Sequence, residues 1–235
     1  MSNAPALGAV HRRRLREVWR SAGWPCQDLV EVELLAAGWL QRVQHPSGHE
    51  TLRVTDAGVS VLADTLQRNR RARDAHEALV EQVATEMLRA GRIAWRGLSL
   101  RAKPAEDGPW VMAMPDVYSV RHTTVEAYLA PTVHEIKVRR ADLLSDLRHT
   151  AKRAAYLQLS SECWYVLADG IARPEEIPPD CGVMIAHGAA LEVARPAPKR
   201  AHTMGFGLWM ALARAAPLPG WRPEDDQAPL GPCGE

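Results

Sequence analysis

Apolar residues in the first part of the chain recur every three to four positions, which is the spacing of amphipathic helices. Residues 9–21 show this pattern with arginines between the apolar positions, so they predict a first helix. A second helix is predicted over residues 27–37, with Asp28 as its capping residue and with Leu29, Val32 and Leu35 or Ala36 on one side. The two patterns predict a helical pair.

Two short predicted strands follow the helical pair. They cover residues 39–44 and 50–55, and the turn-forming residues 45–49 between them predict a β-hairpin. This run resembles the second half of a winged-helix domain, in which the hairpin forms the wing, and such domains either bind DNA or contact other proteins. We therefore predict a winged-helix-like domain over residues 1–70, followed by a polar, arginine-rich linker over residues 69–74.

The remainder of the chain alternates predicted helices and strands, which is typical of an α/β domain. Helices are predicted over residues 74–90, 142–159 and 203–215, and strands over residues 93–99, 111–120, 125–129, 133–138, 163–167, 182–186 and 190–193. We predict an α/β domain over residues 74–215, with a mixed central sheet flanked by helices. A Pro- and Gly-rich tail over residues 216–235 is predicted to be disordered.

The composition is that of an ordinary soluble globular protein, with 46% hydrophobic and 24% charged residues among 235. The sequence holds no apolar run long enough for a membrane span and no signal-like segment before its first arginines, so we expect a cytoplasmic protein without membrane association. The four cysteines lack CxxC spacing and are expected to be free thiols. The sequence also has no GxxxxGK[ST] phosphate loop, so ATP-driven activity is not expected.

Basic residues are concentrated in two segments, although the formal net charge is only +1. Five arginines fall between residues 10 and 20, and six Lys or Arg residues fall between Lys137 and Arg153. Such runs are either ordinary solvated helix faces or surfaces that bind nucleic-acid phosphates. The sequence leaves both interpretations open.

Asp116, Glu135 and Lys137 form the main candidate site. Residues two apart on a strand project to the same face, so Glu135 and Lys137 share a face, and Asp116 enters from a neighbouring predicted strand. Two adjacent carboxylates repel each other unless a cation neutralises them, and their hard oxygen atoms favour Mg²⁺ or Mn²⁺. Such an ion polarises a phosphodiester and activates water, while Lys137 would orient or stabilise the attacking group. The alternative is that Lys137 is simply the ion-pair partner of Glu135.

This arrangement resembles the PD-(D/E)XK nuclease superfamily, which places an aspartate after a proline and a Glu-x-Lys motif on a later strand. Asp116 follows a proline, and Glu135-Ile136-Lys137 matches the second motif. Over residues 74–198 the chain is most similar to the MmcB-like DNA-repair endonucleases. The resemblance implies a restriction-endonuclease-like fold and metal-dependent hydrolysis of DNA. It also implies a metal held by Asp116, Glu135 and the backbone carbonyl of Ile136.

Further residues are predicted to complete the site. The leading helix of the superfamily often adds a carboxylate, and Glu86 lies at the edge of the predicted buried face of that helix, although it equally fits a charge directed to solvent. Lys152 and Tyr156 are four apart and share a helix face, where they are predicted to contact phosphate; ordinary packing is the alternative for Tyr156. Arg139 and Arg140 are predicted to bind the DNA backbone.

The function predicted from the sequence is Mg²⁺-dependent (or Mn²⁺-dependent) endonucleolytic hydrolysis of DNA, in repair or in defence against foreign DNA. One alternative is a catalytically inactive nuclease fold that serves as a DNA-binding regulator or scaffold. Another is a protein-interaction module that does not bind DNA. Cutting both strands of a duplex would favour a homodimer.

Overall fold

The computed structural model describes residues 7–105 and 107–220. The chain divides into two compact units, Met1–Arg71 and Ala72–Glu235. The boundary lies within one continuous helix, Asp56–Arg89, where the sequence predicted a linker over residues 69–74. Arginine and alanine are good helix formers, which explains why this polar stretch is helical. From residue 221 onward the predicted tail lies outside the described residues.

The first unit is built from two helices and a hairpin, as the apolar spacing predicted. Helices α1 (Ala9–Arg20) and α2 (Leu29–Ala36) precede the antiparallel strands β1 (Leu40–Gln44) and β2 (Glu50–Val54), and helix α3 (Asp56–Arg89) begins directly after them. The buried apolar residues of this unit are Leu15, Val18, Leu34, Leu40, Leu52, Val54 and Leu62.

Helix α2 is capped as predicted, but it buries a different side. The carboxylate of Asp28 accepts the backbone N–H of Glu31 at 2.9 Å. Glu31 and Leu34 are buried, whereas Leu29 and Val32, which the sequence placed on one apolar side, are exposed. The reason is that the Glu31 carboxylate turns inward to accept two backbone N–H groups just before the helix, at 2.5 and 2.9 Å. The carboxylate thus holds the chain that leads into the helix, and this contact turns Glu31 inward.

The second unit contains a six-stranded mixed sheet, a two-stranded ribbon and flanking helices. After α3 the elements are β3 (Arg92–Arg96), β4 (Leu100–Ala102), β5 (Val111–Ala113), β6 (Val117–Arg121), β7 (Thr132–Lys137), α4 (Arg140–Leu147), α5 (Thr150–Leu159), β8 (Glu162–Ala168), β9 (Gly182–His187), β10 (Ala190–Arg195) and α6 (Phe206–Arg214). Two short 3-10 helices, Glu126–Tyr128 and Pro174–Glu176, lie in the connections.

The six strands lie in the order β10-β9-β8-β7-β6-β3. Strand β6 is antiparallel to both β3 and β7, β8 is parallel to β7, β9 is parallel to β8, and β10 is antiparallel to β9. Helices α4 and α5 form the crossover that the parallel pair β7 and β8 requires. The predicted mixed sheet flanked by helices is therefore confirmed.

Helices cover both faces of this sheet. On one face α3 packs its buried Leu79 and Val83 against Ile136 and Val166 of the sheet. On the other face Tyr156 of α5 belongs to the larger core, together with the buried side chains of the helices α4 and α6. Successive residues of β7 therefore point alternately toward α3 and toward α4 and α5.

Three predicted elements differ in the structure. The predicted strand over residues 125–129 is the 3-10 helix Glu126–Tyr128. The predicted strand over residues 111–120 is divided: β5 pairs with β4 and β6 pairs with β3, because Pro115 between them has no N–H for a ladder. The predicted helix over residues 142–159 is divided into α4, which begins at Arg140, and α5, which begins at Thr150.

The helices of the described residues are too short or too polar to cross a membrane. Cys26, Cys163 and Cys181 are free thiols, and Cys233 lies outside the described residues.

Candidate active site

Asp116 and Glu135 are brought together by the register of two strands. Val117 of β6 pairs with His134 of β7. Because the two strands are antiparallel, Asp116, just before Val117, lies beside Glu135, just after His134. The Oδ2 atom of Asp116 accepts the backbone N–H of Ile136 at 2.7 Å, which fixes the aspartate at the end of β7. The strand register thus brings Asp116 beside Glu135.

Glu135 is the centre of a buried polar cluster. Its side chain is on the α4–α5 face of the sheet, and the residue is only 2% exposed. Lys137 and Lys152 both donate to its Oε1 atom, at 2.5 and 2.6 Å. The hydroxyl of Tyr156 donates to its Oε2 atom at 2.7 Å and also lies 2.9 Å from the backbone oxygen of Met114. These contacts compensate a burial that would otherwise be costly for a carboxylate.

A third carboxylate, Asp146, belongs to the cluster and was not predicted. Its Oδ1 atom lies 2.8 Å from Nζ of Lys152 and 3.4 Å from Nζ of Lys137. Its Oδ2 atom accepts the hydroxyl of Tyr165 at 2.8 Å. The sequence carries no signal for it, because the predicted helix over residues 142–159 puts Asp146 near its beginning, whereas the structure puts Asp146 in the last turn of α4.

The charges of the cluster are unevenly balanced. Burial, together with the neighbouring charge of Glu135, raises the pKa of Asp116, and the hydrogen bond from Ile136 opposes this only in part. Burial also acts to raise the pKa of Asp146, but the hydrogen bond from Lys152 and the lysine charges outweigh it and leave that pKa below its usual value. Asp116 is therefore the carboxylate that most lacks a compensating positive charge.

Helix α3 contributes His76 to the site instead of the predicted Glu86. The Nε2 atom of His76 lies 3.5 Å from Oδ1 of Asp116. Glu86 accepts a hydrogen bond from Arg89 at 2.9 Å, and it lies ten residues beyond His76, which is about 15 Å along the helix. A helical wheel predicts only the direction in which a side chain such as Glu86 points around the helix axis. It cannot predict which turn along the helix lies next to Asp116.

The predicted phosphate-binding residues have different surroundings. Lys152 and Tyr156 share one face of α5, and that face is turned to Glu135. Arg140 binds Glu176 through two hydrogen bonds of 2.7 and 3.2 Å, so its guanidinium is held beside the 3-10 helix Pro174–Glu176 and not at the cluster. Arg139 is the half-buried residue just before α4.

The donor atoms determine whether a divalent cation fits here. Among residues 7–105 and 107–220, no group of three or more His, Cys, Asp or Glu side chains is placed to hold a metal ion. The pair of Asp116 and Glu135 does offer hard oxygen atoms, and the raised pKa of Asp116 marks a carboxylate that a cation would stabilise. In this structure the ammonium of Lys152 neutralises the charge of Glu135. A cation bound by Asp116 and Glu135 would replace Lys152 in this role.

Comparisons with known proteins assign no family. No family model matches the chain, and no curated protein matches it significantly. One solved structure with a similar arrangement is a protein of unknown function from Silicibacter pomeroyi, with 20% sequence identity and a TM-score of 0.39, covering 57% of this chain and 77% of that chain. A likeness at this level carries no functional argument.

Proposed function

We propose that this chain is a metal-dependent endonuclease of the PD-(D/E)XK type that hydrolyses DNA phosphodiester bonds. The observation that carries the proposal is that Asp116, just before β6, accepts the backbone N–H of Ile136, the residue between Glu135 and Lys137, whose side chains are hydrogen-bonded to each other. The element order supports it, because a helix, three antiparallel strands, a helical crossover and a parallel strand form the core expected of a restriction-endonuclease-like domain.

Asp116, Glu135 and the backbone carbonyl of Ile136 would hold Mg²⁺ or Mn²⁺. A bound ion of this kind polarises the phosphodiester and lowers the pKa of bound water. Lys137, which donates to Glu135, would hold the attacking group or stabilise the charge that develops on the phosphate. Tyr156 fixes the Oε2 side of Glu135 and so positions the carboxylate.

Lys152 and Asp146 set the electrostatics of the proposed site. The ammonium of Lys152 bridges Glu135 and Asp146, which supplies positive charge to both carboxylates inside the protein. Burial opposes the charge on Lys152, but the two carboxylates raise its pKa above the usual value. We assign Lys152 the role of a counter-ion that moves toward DNA phosphate when a cation binds Glu135.

The first unit is proposed to be a winged-helix-like module that contacts the DNA backbone. Two helices followed directly by the hairpin of β1 and β2 support this assignment. Exposed arginines of α1, such as Arg13, offer positive charge on that unit. Homodimer formation would follow if both strands of a duplex are cut.

A catalytically inactive nuclease fold that binds DNA is the second candidate. The observation that favours it is the full use of both Glu135 oxygen atoms by Lys137, Lys152 and Tyr156. Metal binding separates the two candidates. Calorimetric titration with Mn²⁺ should show a binding site that Asp116→Asn removes, together with cleavage of single-stranded, duplex or forked DNA. DNA binding with neither metal binding nor cleavage would support the inactive scaffold.

A further inference from the structure

The ribbon of β4 and β5 carries a row of exposed apolar side chains that leads to the proposed site. Trp110, Met112 and Met114 are 62%, 54% and 59% exposed, and they alternate with the less exposed Val111 and Ala113. Exposed apolar residues are ordinary one at a time, but a contiguous row marks a contact surface. We call these three residues the apolar row. Asp116 lies two positions beyond its last member.

The other side of the ribbon is anchored in the protein core. Leu100, Ala102 and Ala113 are buried in the larger apolar cluster of the second unit. The row is also tied to the candidate active site, since the backbone oxygen of Met114 lies 2.9 Å from the hydroxyl of Tyr156. The ribbon is thus a fixed platform, and its outer face is open.

Positive charge accompanies the apolar row. Arg101 pairs with Met112 across the ribbon, and its guanidinium lies 5.3 Å from the ring centroid of Trp110. Beside this pair is a cavity of about 760 Å³ between the ribbon and α6. Arg101, Trp110 and Arg214 line the cavity together with apolar residues of α6 such as Leu208. A cavity of this size accommodates a small organic ligand such as a nucleotide (pockets of roughly 300–1,000 Å³ are usual).

We propose that the ribbon is a stacking platform for unpaired bases, so that the substrate is DNA with a single-stranded segment. The inference rests on the proposed function. Trp110 and the methionines offer flat, polarisable apolar surface to bases, and the arginines complement the phosphates between them. In a duplex the bases stack on one another and are not available to Trp110. From Trp110 to Asp116 an extended chain spans about 20 Å, so the strand that stacks on the row would reach the proposed site.

The test is equilibrium binding of a fluorescein-labelled oligothymidine and of a hairpin duplex of equal charge, measured by anisotropy with EDTA present. The full native chain should bind the oligothymidine more tightly than the duplex. Trp110→Ala should weaken binding of the single strand roughly 5- to 100-fold, the range that corresponds to losing one stacked base. Trp110→Phe should restore much of the affinity, and duplex binding should change little.

Tyr128→Ala is the matched control, because Tyr128 is an exposed aromatic residue of the same unit that lies outside the ribbon. Unchanged single-strand binding in Trp110→Ala, or an equal loss in Tyr128→Ala, would overturn the proposal. Since EDTA prevents cleavage, the result is independent of catalysis. If binding depends on Trp110 but no DNA is cleaved, the stacking platform is supported and the nuclease proposal is rejected. If DNA is cleaved at the same rate in Trp110→Ala, the nuclease proposal is supported and the stacking platform is rejected.

Discussion

The ammonium of Lys152 lies 2.6 Å from the Oε1 atom of Glu135, so a side chain of α5 neutralises a carboxylate on the central strand β7. The same ammonium binds Asp146 at 2.8 Å. This bridge makes the site stable without a cation, and it identifies the contact that a cation would replace. The contact also leads to a direct prediction for stability.

Replacing Lys152 by methionine should lower the free energy of unfolding at pH 7 by about 1–3 kcal/mol, because two largely buried carboxylates lose a charged hydrogen-bond partner. Urea unfolding followed by circular dichroism measures this change. If Asp116 and Glu135 bind Mg²⁺, the ion should restore part of the loss, since a ligand that binds only the folded state stabilises it.

Lys199→Met is the control for that experiment. Lys199 is exposed and lies 3.8 Å from Glu162, so its removal should change the free energy of unfolding by less than about 0.5 kcal/mol. An effect of Lys152→Met no larger than this would contradict the role assigned to the bridge.

Asp116→Asn should stabilise the protein at neutral pH. The folded state raises the pKa of Asp116, mainly through burial, so ionising this group costs folding free energy as the pH rises through the raised pKa. Below the ordinary aspartate range both the folded and the unfolded states are protonated and the cost disappears. The amide oxygen of asparagine can still accept the N–H of Ile136.

Unfolding of the native chain and of Asp116→Asn at several pH values checks this sign. The stability difference in favour of the variant should grow from acid to neutral pH. A variant that is less stable than the native chain at neutral pH would show that Asp116 is adequately neutralised in the folded protein.

The strand part of the site was predictable, because strand alternation places Glu135 and Lys137 on one face whatever the details of packing. The position of Asp116 beside Glu135 depends in addition on the register between two strands, which alternation within one strand does not determine. Asp146 and His76 were not predictable, because both lie on helices. Their distance from Glu135 or Asp116 depends on how far each helix extends along the sheet, and tertiary packing sets this.

Two details of the fold also depend on tertiary packing and could not be predicted from local sequence patterns. The break between β5 and β6 follows from one proline, but the exchange of partners from β4 to β3 depends on the whole sheet. The buried Glu31 of α2 was unexpected because apolar spacing cannot anticipate a carboxylate that turns inward to bind backbone N–H groups. Local sequence patterns thus predicted most helices and strands, whereas long-range contacts determine which side of each element is buried.

Tyr156→Phe should lower the free energy of unfolding by about 1–2 kcal/mol and also reduce cleavage, because it removes the hydroxyl that holds Oε2 of Glu135. Tyr118→Phe provides the comparison, since its buried hydroxyl donates to the backbone oxygen of Leu159 at 3.0 Å. It should lose a similar amount of stability but retain cleavage. Equal retention of cleavage in both variants would assign Tyr156 to packing alone.

Asp146→Asn should reduce cleavage, whereas Glu86→Gln should leave it unchanged. Asp146 contacts both lysines of the cluster, so its loss changes their positions and charge. Glu86 instead binds Arg89 on the surface of α3. Initial cleavage rates of the two variants at saturating Mg²⁺ measure this difference. Loss of cleavage in Glu86→Gln would reinstate Glu86 as a ligand.

Cleavage of end-labelled single-stranded, forked and duplex DNA is the most direct measurement of the nuclease proposal. The native chain should cut with Mg²⁺ or Mn²⁺ and not with EDTA. Asp116→Asn and Lys137→Ala should each lower the rate at least about 100-fold with folding intact, as expected for groups acting at the reacting atoms, while Lys199→Ala keeps the native rate. A native chain that binds these DNAs but cuts none of them, or metal-dependent cutting that both substitutions leave unchanged, would contradict the assignment of Asp116, Glu135 and Lys137 as the catalytic site.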